Sequence, residues 1–90
     1  MSISYRAAQT LIKRGDEPAL RAALEGSLSS NLTNQNGWTL LMLAAVEGDV
    51  EIGRLLLEKG AKTTATNSKG ETAESIATHR GFQAFVDLPK

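Results

Sequence analysis

The sequence contains no cysteine, so it has neither a disulfide framework nor a Cys-ligated zinc site. Its only histidine is His79, and one histidine cannot build a typical zinc site. Neither sign of charge dominates: ten Lys and Arg against ten Asp and Glu give a formal net charge of zero. That removes the basic footprint of a general nucleic-acid binder. It also removes the polybasic segment that would hold a chain to a membrane surface. No apolar run approaches the roughly 20 residues needed to cross a bilayer. The start, Met1-Ser2-Ile3-Ser4-Tyr5-Arg6, lacks the charged onset and apolar core of a secretory leader. A cytoplasmic protein with no nucleic-acid and no membrane partner is expected. At 90 residues it forms one small domain of modest stability, because much of its surface stays wet.

What the chain does have is a period. Gly37 and Gly70 are 33 residues apart, as are Thr39 and Thr72, Ala44 and Ala77, and Gly48 and Gly81. Gly15-Asp16 precedes Gly48-Asp49 by the same 33, and Glu25 precedes Glu58 by it. Such a repeat length implies a stacked array of units rather than a globule of mixed topology. The middle copy is the clearest. Gly-x-Thr opens an apolar helix from Leu40 to Val46, and Gly48-Asp49 breaks it. A second helix runs from Val50 to Glu58, and Gly60-Ala61 closes it.

These residues resemble the ankyrin repeat. Asn34–Thr66 carries the family's G-x-T-x-L-x-x-A-A-x-x-G and L-L-L-x-x-G-A signatures; the match is partial in Asn67–Lys90 and weak in Met1–Thr33. The resemblance implies an all-α solenoid of about three helix–turn–helix units with short finger loops. The units are expected at 1–33, 34–66 and 67–90.

The remaining features are readable in chain order. Ala7, Ala8, Leu11 and Ile12 give a helical stripe over Tyr5 to Arg14. Asp16 is placed to cap the next helix, with Pro18 in its first turn. Ala19, Leu20, Ala23 and Leu24 form its stripe, and Gly26 or Ser27 ends it. The polar run to Asn36 is expected to be a projecting finger that turns at Asn36-Gly37. Thr39 and Asp49 should cap the middle unit's helices. Leu41, Ala44 and Ala45 should face neighbouring helices, the alanines allowing close approach. Gly53 lies mid-helix and should cost about 1 kcal/mol relative to alanine. A close contact with the next unit would explain it. Lys62 to Lys69 repeats the finger, Gly70 turns it, and Thr72 caps the third unit. Glu74 and Thr78 replace the family's leucine and alanine, as suits an outermost unit. Phe82, Phe85, Val86 and Leu88 should form a short last helix stopped by Pro89. A natural cap is expected there rather than the cut end of a longer array.

No catalytic constellation stands out. Neither G-x-x-x-x-G-K-[ST] nor G-x-G-x-x-G spacing occurs, so the glycines make no phosphate loop. Glu71 and Glu74, read as i, i+3 neighbours on one helix face, have nothing converging on them. They read as solvated charges at a helix start. His79 reads as a surface residue near a helix end.

The resemblance implies no cofactor, no metal and no enzyme, but a module that binds another protein. Finger tips and exposed edges of first helices line the family's concave face. The matching positions are Gln35, Asn36, Trp38, Val46 and Glu47 in the second unit. In the third they are Ser68, Lys69, Glu71, His79 and Arg80, and in the first Tyr5, Lys13 and Arg14. Trp38 is the expected anchor: it is the sole tryptophan, and tryptophan, tyrosine and arginine dominate interface energetics. Tyr5 occupies its position one period earlier. An adaptor, inhibitor or assembly factor, monomeric by itself, would carry such a face. The alternatives are a fragment or engineered variant of a longer array, or a small ligand-binding domain.

Overall fold

The computed structural model describes residues 4–89. The outer unit limits expected at 1 and 90, and the Met1–Ile3 stretch, lie outside the described residues. Within them six helices follow one another: α1 Tyr5–Arg14, α2 Glu17–Glu25, α3 Leu40–Glu47, α4 Val50–Glu58, α5 Ala73–Arg80 and α6 Gln83–Val86. They form three antiparallel pairs, α1–α2, α3–α4 and α5–α6, stacked side by side. The described residues contain no strand, only a single antiparallel bridge between Thr33 and Thr39.

The helix starts follow from their caps. The Ala19 and Ile52 amides donate to the Asp16 and Asp49 carboxylates at 3.3 and 3.1 Å. The Met42 and Ser75 amides donate to the Thr39 and Thr72 hydroxyls, each at 3.1 Å. At Thr72 the arrangement is reciprocal, since its own N–H donates to Ser75 Oγ at 2.9 Å. Gly15, Gly48 and Gly81 close α1, α3 and α5 in the left-handed conformation. α2 ends at Glu25 with Gly26 as its cap.

α3 is apolar around most of its circumference because most of it is covered; only Leu43, Val46 and Glu47 reach the surface. α1 and α5 flank it and α4 packs behind. Leu40, Leu41, Met42, Ala44 and Ala45 are all buried. From α4, Ile52, Leu55 and Leu56 complete the centre of the core. Fully burying each such aliphatic stabilises by about 1.5–3 kcal/mol. Glu74 and Thr78 of α5 are exposed.

The last pair departs from expectation. α6 is a single turn, and Phe82 and Leu88 lie outside it. Leu88 is nevertheless buried, because the chain beyond α6 folds back onto α4. Gly53 receives it. A Cβ at Gly53 would lie 2.6 Å from Phe85 Cε2 and 2.8 Å from Leu88 Cδ1. The missing side chain is what lets the third unit seat on the second.

The fingers turn differently from the expected Asn36-Gly37 pair. The Gly37 amide donates to the Asn34 carbonyl, so Gln35 and Asn36 are the central residues. Gly37 follows at φ 77°, whereas no non-glycine residue among those described has a positive φ. The turn is therefore a type I turn closed by a left-handed glycine. The Asn34 side chain decides this, because its Oδ1 accepts from the Asn36 and Trp38 amides at 2.9 and 3.0 Å. The Asn34 amide also donates to the Trp38 carbonyl. One period on, Asn67 Oδ1 accepts from Lys69 and Glu71 at 2.9 and 3.0 Å, and Gly70 sits at φ 75°. The two turns touch: the Ser68 amide donates to the Asn36 carbonyl at 2.9 Å.

Candidate partner-binding groove

The finger turn positions Trp38. Held at its amide by Asn34, Trp38 leaves the turn one residue before the Thr39 cap and lies half-buried against the core. Beside it, Trp38, Val46, Lys69, Glu71, Ile76, His79 and Arg80 line a depression of about 230 Å³. On its other flank, Trp38, Leu43, Val46 and Arg80 join Gln9, Asn34 and Asn36 around a shallower hollow of about 370 Å³. Trp38, Val46 and Arg80 belong to both. The two hollows therefore form one groove across the first helices, from Gln9 on α1 to His79 on α5.

Of the expected contact residues, the groove unites Asn36, Trp38, Val46, Lys69, Glu71, His79 and Arg80. Gln35, Glu47 and Ser68 are exposed but line neither hollow. Lys13 and Arg14 are exposed in the last turn of α1. Tyr5 does not reproduce the environment of Trp38. α1 starts two residues early in the period, so Tyr5 is helical where Trp38 is extended. Its hydroxyl is buried without a hydrogen-bond partner among the described residues, and desolvation raises the phenol above its ordinary pKa.

Glu71 needs a correction too. It precedes the Thr72 cap, so it does not share a helix face with Glu74. Instead it accepts from Asn67 Nδ2 at 2.9 Å. Gln9, Asn34, Leu43 and Ile76 were not anticipated. The period held a signal for two of them, since Leu43 and Ile76 are 33 apart and adjoin the Val46 and His79 positions.

The electrostatics are uneven although the chain is neutral. α2 and α4 with their caps carry six carboxylates: Asp16, Glu17, Glu25, Asp49, Glu51 and Glu58. They carry three cations, Arg21, Arg54 and Lys59. All three are paired: Arg21 bridges Glu17 and Glu58 at 3.0 Å each, Arg54 meets Glu51 at 3.0 Å, and Lys59 meets Glu25 at 3.4 Å. Hydrogen bonds to Glu17, then Glu58, raise the Arg21 guanidinium further above its ordinary pKa. The first helices and fingers reverse the balance. They hold Arg6, Lys13, Arg14, Lys62, Lys69 and Arg80 against Glu47, Glu71 and Glu74.

The family's profile of ankyrin repeats in three copies matches residues 5–88. The chain belongs to the ankyrin-repeat family. Human NAD-capped RNA hydrolase NUDT12 is 41% identical to it over 75 residues, 82% of this chain and 16% of that protein. Human M-phase phosphoprotein 8 is 37% identical over 77 residues, 83% of this chain and 9% of its own length. The Drosophila melanogaster ankyrin repeat and KH domain-containing protein mask is 45% identical over 56 residues, 60% of this chain and 1% of its own. The ankyrin-repeat chain thus spans 16% or less of these relatives.

An ankyrin stack is a scaffold for protein interaction. Among the described residues no three His, Asp or Glu stand together as metal ligands. None of the described helices is long and apolar enough to cross a membrane. The void between Leu41, Ala73, Phe85 and Leu88 is apolar and holds about 20 Å³, the room of a single water rather than a ligand.

Proposed function

We propose that this ankyrin-repeat module, monomeric and cytoplasmic, grips a partner protein along the groove, with Trp38 as anchor. The observation that carries this reading is the position of Trp38 at the junction of both hollows, flanked by Val46 and Arg80. Such a half-buried ring needs little ordering on binding. It offers a large apolar face beside a guanidinium, the composition of an interface hot spot. The finger turns, tied together through Asn36 and Ser68, hold the groove's rim in place before a partner arrives, which lowers the cost of binding.

The test is capture from the native organism's lysate by the wild type and by Trp38→Ala/Arg80→Ala, followed by affinity measurement with the purified partner. Loss of more than about 1 kcal/mol in the variant is expected. Equal affinity, with melting curves showing both proteins folded, would move the site to the convex face or elsewhere on the fingers.

A further inference from the structure

We infer that the segment seated in this groove is an extended, acidic stretch of the partner carrying spaced apolar residues. The inference rests on the groove reading above and adds the chemistry of the occupant.

Charge complementarity is the first argument. At the groove, Lys69 and Arg80 are exposed; Lys13 and Arg14, exposed in the last turn of α1, stand two periods before His79 and Arg80 in the sequence. The ion pairs described above all lie on α2 and α4 and use none of these four cations. Glu71 and Glu47 are the nearby carboxylates, and Glu71 is engaged by Asn67. Complementing a helix dipole accounts for Lys13, Arg14 and Arg80, each in the last turn of its helix. It does not account for Lys69, which sits in a finger turn beside Ser68. It also leaves the opposite balance on α2 and α4 unexplained. A peptide with carboxylates would pair these cations in place of water, and a basic one would meet like charge.

The apolar residues give the second argument. Trp38, Leu43, Val46 and Ile76 form the floor between the cations, so bare charge would leave that surface wet. Acidic and apolar residues that come in pairs along an extended peptide meet both demands, because successive side chains point to opposite sides and each side then carries both kinds. The molecule's long axis is 35 Å, and an extended chain advances about 3.3 Å per residue, so roughly ten residues would span it. A nucleic-acid strand is disfavoured by the zero net charge of the chain.

The sole tryptophan sits in the groove, so its emission reports occupancy. The probes are three synthetic peptides of about ten residues, repeating two leucines followed by two glutamates, two glutamines or two lysines, and an oligouridylate of similar length. The glutamate peptide is expected to shift Trp38 emission with affinity about tenfold tighter than the glutamine peptide. That affinity should weaken severalfold between about 50 and about 300 mM sodium chloride. Lys69→Glu/Arg80→Glu should reverse the preference to the lysine peptide. Lys69→Gln, in a finger turn, provides a milder variant if the double reversal does not fold. Equal or tighter binding of the glutamine or lysine peptide would overturn the acidic assignment and leave the groove standing. Preference for the oligouridylate would overturn it in favour of nucleic acid. No response to any probe would also overturn it, and the groove itself would still be judged by the capture experiment.

Discussion

Gly53 and Phe85 are fitted to each other. The ring edge of Phe85 occupies the place of a Gly53 side chain, 2.6 Å from where a Cβ would sit. In an isolated helix, Gly53→Ala would gain about 1 kcal/mol from helix propensity. Here the methyl group collides with Phe85 and Leu88, and overpacking of this kind costs about 1–3 kcal/mol. The expected net effect is destabilisation by about 1 kcal/mol in urea unfolding. Combining it with Phe85→Leu should cost less than the two single changes added together. A more stable Gly53→Ala protein would show that the third unit seats elsewhere.

Asn67 sits at the head of a turn that its own side chain holds. It is buried, and its Oδ1 accepts from the Lys69 and Glu71 amides. Asn67→Ala leaves both amides and the Glu71 carboxylate without that partner. A loss of about 1–3 kcal/mol is expected. Asn67→Asp keeps the acceptor and should recover part of it. Hydrogen exchange at the Lys69 and Glu71 amides distinguishes a loosened finger from a general loss of stability.

Tyr5 offers the opposite sign. Its hydroxyl is buried without a partner among the described residues. Tyr5→Phe removes an unsatisfied polar group and is expected to stabilise by up to about 1–2 kcal/mol. The raised phenol pKa also makes a pH prediction. A tyrosine whose folded pKa exceeds its unfolded value contributes stability that is complete below about pH 10 and is lost as pH rises through the folded value. Thermal melts of wild type at pH 8 and near pH 11 should therefore diverge more than those of Tyr5→Phe. Identical slopes would mean that the phenol is solvated.

Trp38→Ala should separate binding from folding. The ring is only half-buried, packed against the edge of the core rather than within it. A modest loss of stability, near 1 kcal/mol, is expected beside a larger loss of partner affinity. A collapse of the melting transition would instead make Trp38 a packing residue.

Much of this architecture was legible because the period carries chemistry with it. Each 33-residue step brings the same capping and closing residues, such as Thr39 and Thr72 or Gly48 and Gly81. Helix limits then follow to within a residue for α1 through α5. The exceptions have local causes. The Asn36-Gly37 dipeptide reads as a two-residue turn, but the Asn34 carboxamide two residues earlier captures the Asn36 and Trp38 amides and shifts the turn. Leu88 reads as a helical residue because it is apolar, yet it lies just beyond the single turn of α6, buried beside Phe85 against Gly53. The groove was legible where residues project from repeat positions, as at Trp38, Val46, His79 and Arg80. Leu43 and Ile76 were missed because an apolar residue in such a helix reads as core, and these two serve the core and the groove floor together.

The enclosure of α3 has a consequence for how the stack comes apart. Among the described helices, α3 is flanked by both α1 and α5, whereas α1 and α5 each meet only α3 among the first helices. Within this stack, opening α1 or α5 breaks one such contact, but opening α3 breaks two. The slowest-exchanging amides are expected in α3, with protection lower in α1 and α5. The groove, with Trp38 at its middle, is thus built over the last part of the chain to melt.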